Sequence, residues 1–161
     1  MSKADEVVAA AKKFVDEKYK EGENNDTIMG KWFGLNHQPW CAMFVSYCFN
    51  QAKVVDLVAA QGKKGFASCA AGMRWFAKHK QLVPVGQAQA GDVVFFQFDA
   101  DADPDHVGIV VSNDGKGTLI TYEGNTCADG AKGSQANGDG AYKKKRPYAK
   151  VMAVARPAWK D

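Results

Sequence analysis

The feature that most constrains this chain is a run of apolar residues at helical spacing. The run recurs at i, i+3, i+4 and i+7, which is one face of a helix that stays buried for about three turns. Its members are Cys41, Phe44, Val45, Cys48, Phe49 and Ala52. Pro39 comes just before it, as is typical of a helix N-terminus. The sequence therefore predicts a core helix with Cys41 in its first turn.

The first half of the chain is predicted to be mainly helical. Apolar residues at helical spacing indicate an amphipathic N-terminal helix that ends near Glu21 and Gly22. Residues 23–40 are rich in Asn, Gly and Asp, which predicts a structured loop. Its aromatic anchors are Trp32, Phe33 and Trp40. A further helix is predicted over residues 69–80.

The second half is predicted to form antiparallel strands. Runs rich in β-branched and aromatic residues cover residues 93–98, 107–112, 118–123 and 151–156. The sequence NDGKG at 113–117 predicts a hairpin between two of them. Residues 126–146 are predicted to form an extended loop before the last strand. Helices first and strands later indicate an α+β fold, which we expect to be one domain over residues 1–161.

Composition excludes several classes of protein. With 161 residues, 46% of them hydrophobic, the chain can build a core without metal or disulfide staples. Four cysteines without C-x-x-C spacing argue against a zinc ribbon, and a net charge of +3 argues against a strongly basic nucleic-acid binder. The KKKR run at 143–146 is interpreted as a solvated edge, with contact to an anionic polymer as the alternative.

The N-terminal sequence has neither the basic start nor the unbroken apolar stretch of a signal peptide. No later stretch approaches the roughly 18 apolar residues of a membrane span. We therefore expect a protein that is synthesised in the cytoplasm and does not insert into membranes.

A cysteine at a helix N-terminus is favoured as thiolate, so Cys41 is a candidate nucleophile. The alternative is that Cys41 is a small core residue, which free cysteine usually is. Cys48 is predicted to pack in the core. Cys69 and Cys127 are interpreted as structural or incidental, with a disulfide between them as an unsupported alternative.

A thiolate that cleaves amides needs a general base and acid, and His106 is the best-placed histidine. It directly precedes a predicted strand, whereas His37 and His79 are expected to be loop or surface histidines. Glu123 and Asn125, in the run TYEGN, are candidates to orient the imidazole. The predicted hairpin would bring them back beside His106.

These motifs together resemble the CHAP family of cysteine, histidine-dependent amidohydrolases and peptidases. The resemblance covers nearly the whole chain. Its motifs, in order, are WCAMFVSYC, GDVVFF, DHVGIVV, YEGN and YKKKRPY. It implies a papain-like fold related to the NlpC-type wall peptidases, with N-terminal helices packed on an antiparallel sheet.

The resemblance also implies roles for individual residues. Cys41 would be the nucleophile, His106 the base and acid, Glu123 the orienting carboxylate and Asn125 a fourth polar member. Family members cut amide bonds in peptidoglycan, either between muramic acid and L-alanine or within the stem peptide and cross-bridge, and many are phage endolysins. Gln38 is our candidate for an oxyanion donor beside the backbone of Cys41, and Trp40 a candidate substrate contact.

We expect no metal and no cofactor. Some family members carry an acidic calcium loop before the cysteine, but LNHQPW has no carboxylate here. The alternating aspartates Asp99, Asp101, Asp103 and Asp105 lack the glycine and distal Glu of a calcium loop, so they are interpreted as a solvated acidic rim.

The expected partner is bacterial peptidoglycan, with no nucleic-acid or membrane partner, and the protein is expected to be a monomer. The first hypothesis is an endolysin-type hydrolase that reaches the wall after release from the cytoplasm. Two alternatives are an interbacterial amidase effector with the same chemistry, and a non-catalytic wall-binding module.

Overall fold

The computed structural model describes residues 1–131 and 133–160; Lys132 and Asp161, which the predicted domain includes, lie outside the described residues. The α-helices are α1 (Lys3–Asp16), α2 (Ile28–Phe33), α3 (Cys41–Gln51) and α4 (Cys69–Lys78). Short 3-10 helices cover Val55–Val58, Val85–Gln87 and Tyr148–Lys150. Across the described ranges, no helix combines the length and hydropathy that a bilayer span requires.

The strands are β1 (Leu82–Val83), β2 (Val93–Phe96), β3 (His106–Asn113), β4 (Thr118–Thr126), β5 (Gly140–Pro147) and β6 (Val151–Ala155). They form one six-stranded sheet in the order β1-β6-β2-β3-β4-β5, with every neighbouring pair antiparallel. Helices that precede an antiparallel sheet confirm the predicted α+β class. β3 and β4 pair as a hairpin across the turn at 113–117, as predicted.

The core lies mainly between the helices and one face of the sheet. Val93 and Phe95 of β2 face the helices, whereas Val94 and Phe96 face a smaller apolar cluster on the other side. This alternation follows from the side-chain period of a strand. α3 packs on β3 and β4 and is buried over most of its length, as its apolar run predicted. Each fully buried aromatic or aliphatic side chain contributes roughly 1.5–3 kcal/mol, so α3 is firmly anchored.

The predicted end of the first helix was wrong. α1 ends at Asp16 rather than near Glu21. The backbone then leaves the helix at Lys18, which has a φ of 56°, and the carbonyl of Tyr19 accepts from Ala141 N of β5 at 3.0 Å. Pairing with the sheet thus competes with the last helical turn.

The predicted loop over residues 23–40 contains α2. Thr27 caps this helix by accepting from Gly30 N at 2.9 Å. Gly34 ends it with a φ of 90°, a conformation that glycine adopts without strain. The helix has only six residues, which is too short for a periodic pattern to stand out among turn-forming neighbours.

The predicted loop over residues 126–146 was wrong in its second part, which forms β5. The KKKR run within it is not a uniform solvated edge, because Lys144 and Arg146 are buried while Lys143 and Lys145 are exposed. Lys144 Nζ donates to the carbonyl of Cys127 at 2.5 Å and pairs with Asp129 at 3.0 Å. The run does alternate between buried and exposed residues as a strand should, but the residues that face inward are cations.

Candidate active site

The N-terminus of α3 carries the candidate nucleophile. Cys41 is the first residue of the helix and is only 6% exposed. Trp40, directly before it, is fully buried with its ring edge-on to Tyr19 and Phe44. Its Nε1 donates to Glu21 Oε1 at 3.0 Å. Trp40 therefore anchors the start of α3 in the core, and its ring offers no surface to a substrate, contrary to the substrate contact we expected.

His106 is the first residue of β3 and is fully buried. Its Nε2 lies 2.8 Å from Glu123 Oε1 on β4. The ring stacks on Phe96 and packs against Phe98, with centroids 5.9 and 6.0 Å away. Because Glu123 engages Nε2, Nδ1 is the nitrogen left for the Cys41 thiol, which interacts with this ring. Nδ1 itself has no hydrogen-bond partner within residues 1–131 and 133–160.

Glu123 is completely buried and both of its oxygens accept hydrogen bonds. Oε1 accepts from His106 and from Arg146 Nη2, the latter at 2.5 Å. Oε2 accepts from Thr121 Oγ1 at 2.5 Å and from Arg146 Nε at 2.9 Å. Burial raises the pKa of Glu123, but the hydrogen bonds and positive charges of Arg146 and His106 outweigh it and lower the pKa to about 2. The carboxylate is therefore ionised at any physiological pH.

Arg146 is a member of this site that the sequence interpretation missed. Its guanidinium lies over the rings of Phe96 and Phe98, 5.1 and 4.9 Å from their centroids. Nη1 also donates to Gln135 Oε1 at 3.0 Å. These two phenylalanines contact His106 as well, so one apolar cluster supports both partners of Glu123. The sequence signal that could have identified Arg146 is the alternation inside KKKR. As a strand, this run places every second cation on the inner face.

The electrostatics favour a thiolate and an imidazolium. The hydrogen bond with Cys69 lowers the pKa of Cys41; burial opposes this, but interaction with His106 and the Ala42 N–H keep the pKa well below its ordinary value. Burial lowers the pKa of His106, but hydrogen bonds and negative charge from Cys41 and Glu123 raise it to about 9. These shifts favour the proton on the ring rather than on the sulfur.

Cys69 also belongs to the site, which corrects its interpretation as structural or incidental. It is the first residue of α4, and its Sγ lies 3.6 Å from Cys41 Sγ. Cys127 is elsewhere and accepts a hydrogen bond from Gln135 Nε2 at 2.9 Å. Cys48 is fully buried on α3, and burial raises the pKa of its thiol, as expected of a core residue. All four thiols are free.

Two other candidates make no hydrogen bond to Cys41, His106 or Glu123 within the described residues. Asn125 is fully buried, but its Nδ2 donates to Ala136 O at 3.4 Å, and its Oδ1 has no hydrogen-bond partner in the described chain. A register irregularity in β4 between Glu123 and Thr126, with a φ of 56° at Asn125, turns the amide away from the regular alternation. Gln38 is exposed in the loop before α3.

The aspartates of residues 99–105 form a separate cluster. Carboxylate oxygens of Asp99, Asp101 and Asp105 lie within 4.8 Å of one another, with Asp99 and Asp101 exposed. Asp105 Oδ2 accepts from the backbone of Phe98 at 2.5 Å and of Asp99 at 3.2 Å. These bonds fold the loop on itself. The interpretation of these aspartates as a solvated acidic rim stays a prediction.

His37 and His79 are both exposed. Their Nδ1 atoms lie 2.8 and 2.7 Å from the carbonyls of Asn24 and Trp75, respectively. Each ring is thus held by a backbone carbonyl, and His106 is the histidine at the site.

Two glycines leave room for the site. A Cβ on Gly108 of β3 would lie 2.6 Å from Glu123 Cγ. A Cβ on Gly124 of β4 would lie 2.6 Å from the Trp40 ring and 2.7 Å from Phe44. Carbon atoms do not approach each other this closely. The positions of the Glu123 carboxylate and of the start of α3 therefore require glycine at 108 and 124.

A cysteine at a helix N-terminus beside a buried histidine–carboxylate pair defines the class of cysteine- and histidine-dependent hydrolases. The CHAP domain family model matches residues 33–125, which is more than half of the chain and includes Cys41, His106 and Glu123. The chain therefore belongs to the CHAP family, whose domains are in general amidohydrolases or peptidases of the type that acts on peptidoglycan. No curated protein matches it.

Proposed function

We propose that this protein is an endolysin-type peptidoglycan hydrolase that cleaves an amide bond through a thioester on Cys41. The observation that carries the proposal is the fixed order of contacts from Arg146 to Glu123 and from Glu123 to His106 Nε2. This order holds the ring with Nδ1 free for the thiol. A non-catalytic wall-binding module would have no use for a buried imidazole held in this way.

In the first half of the reaction, the Cys41 thiolate attacks the carbonyl carbon of the scissile amide. A C–S bond forms and the carbonyl electron pair moves to oxygen. The C–N bond then breaks as His106 Nδ1 gives its proton to the leaving nitrogen, which leaves a thioester and a neutral ring. Glu123 stabilises the imidazolium before this transfer and keeps Nδ1 in position.

In the second half, water attacks the thioester and His106 takes its proton. The C–S bond breaks and the thiolate and imidazolium are restored. Backbone N–H groups at the N-terminus of α3 are the available donors for the oxyanion, because the first N–H groups of a helix have no intrahelical partner. Gln38, exposed in the preceding loop, is our proposed second donor.

The scissile bond is proposed to be either the muramoyl–L-alanine amide or a peptide bond in the stem or cross-bridge. Peptidoglycan is the proposed partner, and the net charge of +3 suits an anionic wall. We further propose that the protein is monomeric, is made in the cytoplasm and acts after release to the wall.

The test is digestion of purified peptidoglycan followed by mass spectrometry of the fragments. Cys41→Ala is the inactive variant, and Cys127→Ala is the matched control at a thiol outside the site. Free lactyl-glycan with intact stem peptides would identify an amidase, and new peptide N-termini would identify an endopeptidase. If several wall types yield no products that depend on Cys41, the proposal is wrong.

A further inference from the structure

Two thiols meet at the active site, and each begins a helix. Cys41 is the first residue of α3 and Cys69 the first residue of α4, with their sulfurs 3.6 Å apart. The contact joins residues 28 positions apart in the chain. Both helix N-termini therefore direct their positive ends toward the same pair of sulfur atoms.

The position of Cys69 is fixed by the loop that precedes α4. Ser46 Oγ of α3 lies 3.0 Å from both the nitrogen and the carbonyl oxygen of Phe66. Gly65 passes so close that a Cβ there would lie 2.4 Å from Ser46 Oγ. Ser68 then caps α4 by accepting from Ala71 N at 3.1 Å. These contacts tie the start of α4 to α3, so the approach of the two thiols is built into the fold.

We propose that Cys69 is a further functional residue of this active site, whose S–H group donates a hydrogen bond to the Cys41 thiolate. The inference rests on the proposed function only in taking Cys41 as the nucleophile. Cys69 keeps its proton throughout, so no bond to it forms or breaks during hydrolysis. Its role is to stabilise the anion before attack.

The groups around the pair decide which sulfur carries the charge. His106 of β3 and the N–H of Ala42 face Cys41 and favour its anion. The hydrogen bond with Cys41, burial, and the negative charges of Cys41 and Asp105 keep the pKa of Cys69 well above its ordinary value. With one proton between two sulfurs, Cys69 is therefore the donor and Cys41 the acceptor.

The arrangement has a kinetic consequence that packing alone would not produce. A donor to the thiolate enlarges the ionised fraction at low pH, but it also lowers the intrinsic nucleophilicity of the sulfur. Loss of the donor is therefore expected to slow Cys41 at acidic pH and to leave it as fast or faster at alkaline pH. A variant that merely loosened the site would be slower at every pH.

The experiment measures the rate at which iodoacetamide alkylates Cys41 between pH 4 and pH 10, read by peptide mass spectrometry. Cys69→Ala is expected to raise the midpoint of the pH dependence of the Cys41 alkylation rate by about one pH unit. This is the effect of one hydrogen bond to a charged group. Cys69→Ser keeps a donor and is expected to stay close to the unaltered protein. Cys127→Ala is the control, since its thiol contacts Gln135 instead.

The proposal is overturned if Cys69→Ala has the midpoint of the unaltered protein, or if Cys69→Ser shifts as far as Cys69→Ala. Circular dichroism verifies the fold, and Cys69→Val repeats the measurement without a donor if the alanine variant does not fold. Alkylation needs no substrate, so the result is independent of hydrolysis. A shifted midpoint in a protein that releases no peptidoglycan fragments would contradict the proposed function and leave this inference standing.

Discussion

Arg146 binds both carboxylate oxygens of Glu123 from the neighbouring strand, with Nε 2.9 Å from Oε2 and Nη2 2.5 Å from Oε1. The pair is almost completely buried, and Glu123 Oε1 also forms a hydrogen bond with the ring of His106. A planar guanidinium fits a carboxylate in this two-point manner, and an ammonium does not. The orientation of the imidazole therefore depends on a residue two strands away.

Replacement of Arg146 by Met is expected to lower kcat and to lower the free energy of unfolding by about 3–5 kcal/mol, because it leaves Glu123 buried without its cation. Urea denaturation and hydrolysis assays measure the two effects. Lys143→Met is the matched control, since Lys143 is exposed on the same strand. Arg146→Lys is expected to recover part of the stability but less of kcat. Equal behaviour of the Met variants at 143 and 146 would contradict the role of Arg146.

The pH dependence of kcat/KM is expected to have its alkaline limb near pH 9, where His106 loses its proton, since its pKa is raised to about 9. The acid limb lies below the ordinary thiol pKa of 9.0, because the pKa of Cys41 is lowered. Glu123→Gln removes a negative charge that raises the pKa of His106. The alkaline limb of this variant should therefore move to lower pH, and an unmoved limb would argue against the pairing.

Stability at low pH is expected to report on Glu123. Its pKa is about 2 in the folded protein against an ordinary 4.5, so its contribution is complete above pH 4.5 and is lost as the pH falls toward 2. The difference corresponds to about 3 kcal/mol. Urea denaturation at pH 6 and pH 3 should give a much smaller gap between Glu123→Gln and the unaltered protein at the lower pH. A constant gap would mean that Glu123 titrates normally.

Gly108→Ala tests the space that the carboxylate needs. The added Cβ would lie 2.6 Å from Glu123 Cγ, so we expect a loss of about 1–3 kcal/mol in unfolding free energy together with reduced hydrolysis. Gly86→Ala is the control, because a Cβ there meets nothing within 4 Å. Thermal denaturation and fragment release measure both variants. Equal effects at the two positions would show that Glu123 tolerates the intrusion.

Mild oxidation by peroxide is expected to inactivate the protein reversibly. The Cys41 thiolate attacks one peroxide oxygen, which breaks the O–O bond, releases hydroxide and forms a sulfenic acid. The Cys69 thiol then attacks the sulfur of the sulfenic acid, forming a disulfide and releasing water. Dithiothreitol should restore activity. In Cys69→Ala the sulfenic acid has no neighbouring thiol, so more of the loss should be irreversible. Peptide mass spectrometry without reduction detects the Cys41–Cys69 link, and its absence would contradict the prediction.

Periodicity and turn chemistry predicted α3, α4 and the β3–β4 hairpin, because apolar spacing and a Gly-containing turn act locally. The proximity of His106 and Glu123 followed from the hairpin, and the structure brings them to hydrogen-bond distance. The resemblance and local helix geometry pointed to Cys41.

The remaining parts of the site depend on contacts between distant segments. Cys69 reaches Cys41 through the packing of the Phe66 loop on Ser46, which no local pattern encodes. The sequence interpretation missed Arg146 because cations of its strand face inward, at positions where a hydrophobicity pattern predicts apolar residues. A buried cation can be recognised only together with the carboxylate that it neutralises, here Glu123 on the adjacent strand.

β5 forms an outer edge of the sheet, where unpaired backbone groups could template the addition of another chain. Its first residues are covered by the main chain at Tyr19 and Lys20, and Lys145 N donates to Asp129 Oδ2 at 3.2 Å. Pro147 ends the strand without an N–H group. The strand that supplies Arg146 to the site is thus also shielded against edge-to-edge aggregation, which favours solubility at high concentration.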